Sequence, residues 1–318
     1  MDKEPTIKEI RNAYKRIRPY IHRTPVLTCS TLNQMCEAEL FFKCDNFQKG
    51  GAFKIRGATN AVFSAEEKAN NNGVATHSSG NHGAAIALAA RWKGIKSYVV
   101  MPENSPNVKK AAVANYGAKI IFCKSTLQAR EESLADVIDD TGADFIHPYN
   151  DYRVIAGQGT AALELCEEIP NLDIVMAPVG GGGLVSGTAI AVSAVSPETH
   201  VIAAEPENAD DAYQSFCAGE IIPSQNPDTI ADGLRTSLGD LTFPIIKKYV
   251  KAIVTVSEER IAYSMRLIWE RMKIIVEPSS AVTLGALLTE GKEFSNKRIG
   301  IIISGGNFDL ENLPWASQ

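Results

Sequence analysis

No C-x-x-C pair and no zinc-ligand spacing occurs among the six cysteines, at positions 29, 36, 44, 123, 166 and 217. Six in 318 residues is too sparse for a disulfide scaffold. They read as reduced thiols, and the chain as cytoplasmic. Positive charge is not in excess: 32 Lys and Arg stand against 37 Asp and Glu, a net charge of −5. A nucleic-acid partner, which needs a basic face or stripe, is not expected. The opening MDKEPTIKEI is charged and lacks the apolar core of a signal peptide. Low-complexity tracts and repeats of solenoid length are also missing. One stretch lacks charge altogether, the 22 residues from Ile174 to Val195. That is long enough to span a bilayer. Pro178 and five glycines, four of them consecutive, fit a strand, a glycine loop and a helix better, so no membrane partner is expected.

What is present is ordinary for a globular protein, with 45% apolar and 22% charged residues. The length suggests about two domains. Helical and strand patterns alternate throughout. Thr6 and Glu9 fit a capping box, followed by apolar residues at Ile7, Ile10, Tyr14, Ile17 and Ile21, one face of a helix. Short apolar runs at 39–44, 73–77, 97–101, 119–122, 144–148, 173–179, 200–204, 250–256 and 298–304 read as strands. Helices are expected at 84–92, 109–116, 133–140, 154–168, 258–273 and 279–289. Such alternation implies an α/β fold with parallel sheets covered by helices on both faces. Val74 to Pro148 alternates four strands with three helices of its own, so it reads as a small domain inserted into a larger one.

Four motifs could carry chemistry. APVGGGGLVSG, Ala177 to Gly187, runs a strand into four glycines and a helix. Backbone N–H groups converging at a helix N-terminus make an anion cradle, most often for phosphate. A plain flexible turn is the alternative. No Gly-Lys-Ser/Thr follows, so it is not a P-loop. GGAFKIRGA, Gly50 to Ala58, places Lys54 between Phe53 and Ile55 at a helix start. An apolar setting lowers a lysine pKa and favours Schiff-base chemistry, although a surface lysine is the commoner case. A lysine plus a phosphate site is the minimum for pyridoxal phosphate (PLP). HSSGNHG, His77 to Gly83, follows a strand at the sheet edge where ligands bind, with donors for a carboxylate. An ordinary helix cap at Ser79 or Asn81 would read the same way. His82 reads as a packed imidazole, not a metal ligand. IIISGGN, Ile301 to Asn307, ends a buried strand in a neutral hydroxyl that can meet a ring nitrogen without protonating it, or in a plain turn.

In this order and spacing the four motifs resemble the fold-type II PLP enzymes, the group of the serine racemases and the serine, threonine and 3-hydroxyaspartate dehydratases. The resemblance covers essentially the whole chain. It implies two open parallel-sheet domains, a large one from 1–72 and 151–318 and a small one from 73–150. It implies that Lys54 carries PLP as a Schiff base, that Gly180, Gly181, Gly182 and Gly183 hold the phosphate with Leu184 beside them, and that Phe53 lies against the ring. Asn81 would bond the ring hydroxyl and Ser304 would face the ring nitrogen. Ser78, Ser79, Asn81 and His82 would hold the carboxylate side of a small amino-acid substrate, with Arg130 and Ser237 also on the substrate side. Lys54 and Ser79 would move the α-proton on opposite faces. EPENADDAYQS, Glu205 to Ser215, resembles the group's divalent cation site, with Glu205, the Ala209 carbonyl and Asp211 as ligands. An oxygen-only set suits Mg²⁺, Ca²⁺ or Mn²⁺. On its own residues that stretch reads as a solvated loop.

Some positions depart from the pattern. Gly50, Gly51 and Ala52 stand where the group often has Thr-Gly-Ser. Ala84 replaces a glutamine that helps bind ATP in mammalian members, and Tyr149 replaces their asparagine, which argues against an ATP effector, although Lys109 and Ser30 are retained. Tyr149-Asn150-Asp151 lacks the serines of aspartate racemases and argues against aspartate as substrate. The sequence runs only a short way past SGGN, so the regulatory domain of biosynthetic threonine deaminases is not expected. A homodimer is implied by the relatives. The expected activity is serine racemisation with elimination to pyruvate and ammonia. A dehydratase for threonine or L-threo-3-hydroxyaspartate is the alternative.

Overall fold

The computed structural model describes residues 3–65, 67–78, 80–105 and 107–315. Its strands are β1 (Val26–Leu27), β2 (Glu39–Cys44), β3 (Val74–His77), β4 (Ser97–Pro102), β5 (Lys119–Cys123), β6 (Asp144–Phe145), β7 (Ile174–Pro178), β8 (His200–Pro206), β9 (Val250–Val256) and β10 (Arg298–Ile303). They form two sheets. A six-stranded sheet has the order β1-β2-β10-β7-β8-β9, and a four-stranded sheet the order β5-β4-β3-β6. Every pairing is parallel except β1 with β2.

Parallel sheets are buried on both faces, so their strands read as continuous apolar runs. All five residues of β7 are buried. In β10, Ile299, Ile301 and Ile303 enter one core with Val282 and Leu284 of the helix Pro278–Glu290. Ile302 enters the other core, with Val185 and Ala189 of the helix Gly183–Val195. That alternation is the period of two expected of a strand. The uncharged stretch from Ile174 therefore resolves into β7, a glycine loop and a helix. No helix among the described residues is long and apolar enough to cross a membrane.

The capping box of the first helix, Ile7–Ile17, is present: the Thr6 N–H donates to Glu9 at 2.9 Å and the Thr6 hydroxyl accepts from the Lys8 N–H at 3.2 Å. Three local features differ from the sequence reading. The stretch expected as one helix over 258–273 is α-helical from Glu258 to Leu267, continues as a π-helix from Ile268 to Met272, and stops at Lys273 with φ 61°. Much of the acidic stretch expected as a loop is the helix Asp211–Ala218, and an unanticipated helix runs from Thr242 to Tyr249. Its Pro244 lies in the first turn, where a missing N–H costs nothing.

The helix Lys54–Ser64 is clamped against the helix Tyr152–Glu168 at a glycine crossing. A Cβ on Gly157 would lie 2.6 Å from the Gly57 Cα, so neither position tolerates a side chain. Two residues after Lys54, Arg56 is wholly buried. It bonds Asp45 at 2.6 and 2.9 Å and Glu164 at 2.9 Å twice, while Lys43 bonds Glu164 at 2.7 Å. Two cations and two anions thus neutralise each other inside the protein and tie β2 to both helices.

Candidate active site

The loop before Lys54 is zipped to the end of β10. Ala52 and Gly305 form an antiparallel bridge, and the Phe53 N–H donates to the Ser304 carbonyl at 2.8 Å. Gly306 N–H donates back to the Gly51 carbonyl at 2.9 Å. Gly50 and Gly51 take φ values of 71° and 72°, which glycine adopts without penalty. Two motifs far apart in sequence are thereby fixed side by side.

They open on a cavity of about 180 Å³ lined by residues of all four motifs. Lys54 Nζ points into it, donating to the Pro148 carbonyl at 3.0 Å and lying 5.0 Å from the centre of the Phe53 ring. Burial lowers the Lys54 pKa from its ordinary range to about 8, while the nearby carboxylate of Glu277 opposes the shift. Gly180 to Gly183 line the cavity at the N-terminus of the helix Gly183–Val195. Gly182 has φ 90°, and a Cβ on Gly181 would lie 2.3 Å from the Tyr149 ring. Only bare backbone fits, which is the condition for an anion cradle. Leu184 and Phe53 complete this wall.

Ser304 also lines the cavity. Its hydroxyl lies 2.9 Å from that of Ser280, and Ser280 in turn accepts the Gly305 N–H at 2.7 Å. Both serines are buried and uncharged. Asn81 donates to Glu277 Oε1 and Oε2 at 3.2 and 3.1 Å. Glu277 has its pKa pushed up to about 7, chiefly by burial. Ser78 lines the cavity, its hydroxyl accepting the Gly80 N–H at 3.1 Å. Ser79 lies outside the described residues. His82 is buried, with Nε2 3.3 Å from the Ile146 carbonyl, and burial holds its pKa well below the ordinary imidazole range. It is the packed, neutral imidazole the sequence suggested. His77 and His147 are held near 4, again mainly by burial.

Arg130 reaches the lining, and its buried Nε has no partner among the described residues. Ser237 does not reach it: its hydroxyl accepts the Ser224 N–H at 2.8 Å on a neighbouring loop. The lining residues Asp232, Gly233, Leu234, Thr236, Glu277 and Ser279 escaped the sequence reading, Asp232 forming an ion pair with Lys109. A lone acid before Pro278, in an otherwise uncharged run from Ile274 to Leu288, is the signal that could have pointed to Glu277.

Glu205 ends β8 and is buried, accepting the N–H groups of Ala212 and Tyr213 at 3.0 and 2.8 Å. Both Asp211 oxygens are buried with no hydrogen-bond partner among the described residues. Burial pushes the Glu205 pKa up to about 9 and that of Asp211 to about 7. The partnerless Asp211 carboxyl, bordering one small cavity with Ala209, fits a hard cation bound through oxygen, whereas both Glu205 oxygens are already taken by backbone N–H groups. No group of three or more His, Cys, Asp or Glu side chains suited to a metal occurs among the described residues, so a cation here would also need carbonyls and water.

An isolated amine in a cavity with a glycine cradle and a neutral hydroxyl pair defines a PLP site on a parallel α/β scaffold. The family description "Pyridoxal-phosphate dependent enzyme" matches residues 17–305, and the chain belongs to that family. It is 52% identical over 311 residues to the beta-hydroxyaspartate dehydratase of Paracoccus denitrificans, covering 98% of this chain and 99% of that one. It is also 52% identical over 315 residues to the serine racemase of Dictyostelium discoideum, covering 97% and 96%. The crystal structure of the Dictyostelium serine racemase superposes with a TM-score of 0.92 over 96% of this chain and 99% of that chain, at 53% identity. The maize serine racemase structure superposes with a TM-score of 0.94 over 97% of this chain and 95% of that chain, at 45% identity.

Proposed function

We propose that the enzyme racemises serine and also eliminates water from it, releasing pyruvate and ammonia. The observation that carries this reading is Lys54, an amine of lowered basicity held between a glycine cradle and an uncharged serine pair. Bound PLP supplies an electron sink that makes the α-hydrogen of an attached amino acid acidic. The backbone of Gly180 to Gly183 would hold its phosphate with Leu184 alongside, Phe53 would cover the ring, Asn81 would meet the ring hydroxyl and Ser304 the ring nitrogen. Ser304 and Ser280 are neutral and would leave the ring nitrogen of bound PLP largely unprotonated, which would disfavour transamination.

Lys54 takes or returns the α-proton on one face of the substrate, and Ser79 does so on the other. Return from the opposite face inverts the centre, whereas loss of the β-hydroxyl leads to pyruvate and ammonia. Ser78, Ser79, Asn81 and His82 orient the substrate carboxylate. Ser237, next to the lining residue Thr236, stays on the substrate side in this reading: its hydroxyl accepts the Ser224 N–H and keeps its own proton to donate. Glu205, Asp211 and the Ala209 carbonyl hold Mg²⁺ or a similar hard cation that supports the fold around the site. We assign 73–150 to the small domain and the remainder to the large one, and take the working unit as a homodimer.

One observation favours a second reading. The unpartnered Arg130 Nε at the cavity wall suits a second carboxylate, which 3-hydroxyaspartate has and serine lacks. A panel of L-serine, D-serine, L-threonine and L-threo-3-hydroxyaspartate separates the two. Chirality, pyruvate and oxaloacetate are read together. Interconversion of serine enantiomers with pyruvate release supports the first reading, and oxaloacetate alone replaces it with the second. Ser79→Ala is expected to abolish racemisation while L-serine elimination survives. Racemisation at an undiminished rate refutes the two-residue assignment.

A further inference from the structure

Asn81 is held from both ends. Its Nδ2 donates to both oxygens of Glu277, at 3.2 and 3.1 Å, and its Oδ1 accepts from Asn307 Nδ2 at 2.9 Å. Asn307 is itself oriented, because the same Nδ2 donates to the Gly50 carbonyl at 2.7 Å. A carbonyl and a carboxylate offer only acceptors. Gly50 therefore dictates which way Asn307 turns, Asn307 dictates the oxygen end of Asn81, and Glu277 independently dictates its nitrogen end. All three agree. Glu277 is fixed in turn by its backbone N–H on the Gly305 carbonyl at 3.0 Å. A Cβ on Gly305 would lie 2.6 Å from Glu277 Oε1, so the carboxylate sits directly against the Gly305 backbone and a side chain there would displace it. An amide nitrogen carries two hydrogens. Both Glu277 oxygens are at nearly equal distance from this nitrogen, so one hydrogen can be shared between them and the other is left for a partner in the cavity that Asn81 lines.

We infer that Glu277 and Asn307 are positioning residues that make Asn81 a hydrogen-bond donor, and never an acceptor, toward the cavity. The inference rests on the PLP reading above. There the atom Asn81 meets is the ring-hydroxyl oxygen, and a donor favours its ionised form. Ionised and protonated forms of that oxygen absorb at longer and shorter wavelength respectively, so the orientation has an optical readout separate from turnover.

The test exchanges the polarity of the network with nearly isosteric groups. In the double variant Glu277→Gln, Asn307→Asp, position 277 can donate and position 307 only accepts, so Asn81 turns over and presents its carbonyl. The protein loaded with PLP is expected to lose most of its long-wavelength absorbance and to bind PLP about tenfold more weakly or worse, as one misdirected polar contact implies. Asn307→Ala and Glu277→Gln alone each leave one directing partner, and both are expected to keep a near wild-type spectrum. Asn307→Asp alone alters an exposed side chain and spares the core. It is expected to fall between wild type and the double variant, so the inference stays testable if the double variant misfolds. A wild-type spectrum in Asn307→Asp and in the double variant overturns the inference. So does a reversed spectrum in Asn307→Ala alone. Borohydride reduction of the wild type, followed by peptide mapping, separates this from the underlying reading: cofactor fixed anywhere but Lys54 overturns both.

Discussion

Replacing Arg56 by methionine tests how the helix that begins at Lys54 is anchored. The side chains of Arg56, Asp45, Glu164 and Lys43 are all 0% exposed, and their charges cancel. Methionine matches much of the arginine stem but brings no charge. Asp45 then keeps only the Thr24 hydroxyl, at 2.7 Å, and Glu164 keeps Lys43, at 2.7 Å. One buried carboxylate is left without a cation, which costs about 3–5 kcal/mol. For a chain of 318 residues each kcal/mol lowers the melting temperature by about 1.5 °C, so Arg56→Met should melt roughly 5–8 °C below wild type. Calorimetry or circular dichroism of the protein without added PLP reads this directly. The companion variant Arg56→Met, Asp45→Asn leaves a neutral Lys43–Glu164 pair and is expected to recover most of the loss. A shift in Arg56→Met of less than about 2 °C would refute the claim that the four charges act as a closed unit. So would a double variant no more stable than the single one.

Other outcomes follow from the same geometry. Uptake of PLP by Lys54 requires the neutral amine, so its rate should rise with pH through about 8; a midpoint near 10.5 in stopped-flow absorbance would contradict the burial argument. Glu277→Gln removes the charge that opposes this shift and should move the midpoint lower. Gly181→Ala drives a methyl group into Tyr149 and should weaken PLP binding by more than about tenfold; fluorescence titration measures this, and Tyr149→Ala in the same chain should restore part of it. Wild type should melt at lower temperature in EDTA than in Mg²⁺, whereas Asp211→Asn, with one ligand oxygen lost, should respond little to either. Equal responses in the two proteins would remove Asp211 from the cation site.

Much of the site was legible because its parts are local. Four glycines between a strand and a helix, and a lysine shortly after two glycines, announce their turns within a few residues of sequence. The HSSGNHG and SGGN motifs likewise sit where strands end. What was not legible depends on pairing across the chain. Glu277 acquires its role only from Asn81, 196 positions away. Nothing local marks Arg56, whose role comes only from Asp45 and Glu164 closing around it. Ser237 matched a substrate position by motif, but its acceptance of the Ser224 N–H, from thirteen residues earlier, is announced by no local pattern. The π-helix at 268–272 left no mark in the apolar periodicity, because one extra residue per turn barely moves a pattern read over so few positions.

The strand order carries a consequence for how the protein is made. β10 is the last strand in sequence, yet it lies between β2 and β7. During synthesis from the N-terminus, both neighbours emerge long before the strand that joins them. Until Arg298–Ile303 clears the ribosome, β2 and β7 expose unpaired edges and the Lys54 loop lacks Ser304 and Gly305 to bridge to. Long-range parallel pairing of this kind is slow to form and leaves aggregation-prone edges exposed. Nascent chains that end before Arg298 should therefore neither retain PLP nor resist protease, and competence should arrive abruptly over the final strand.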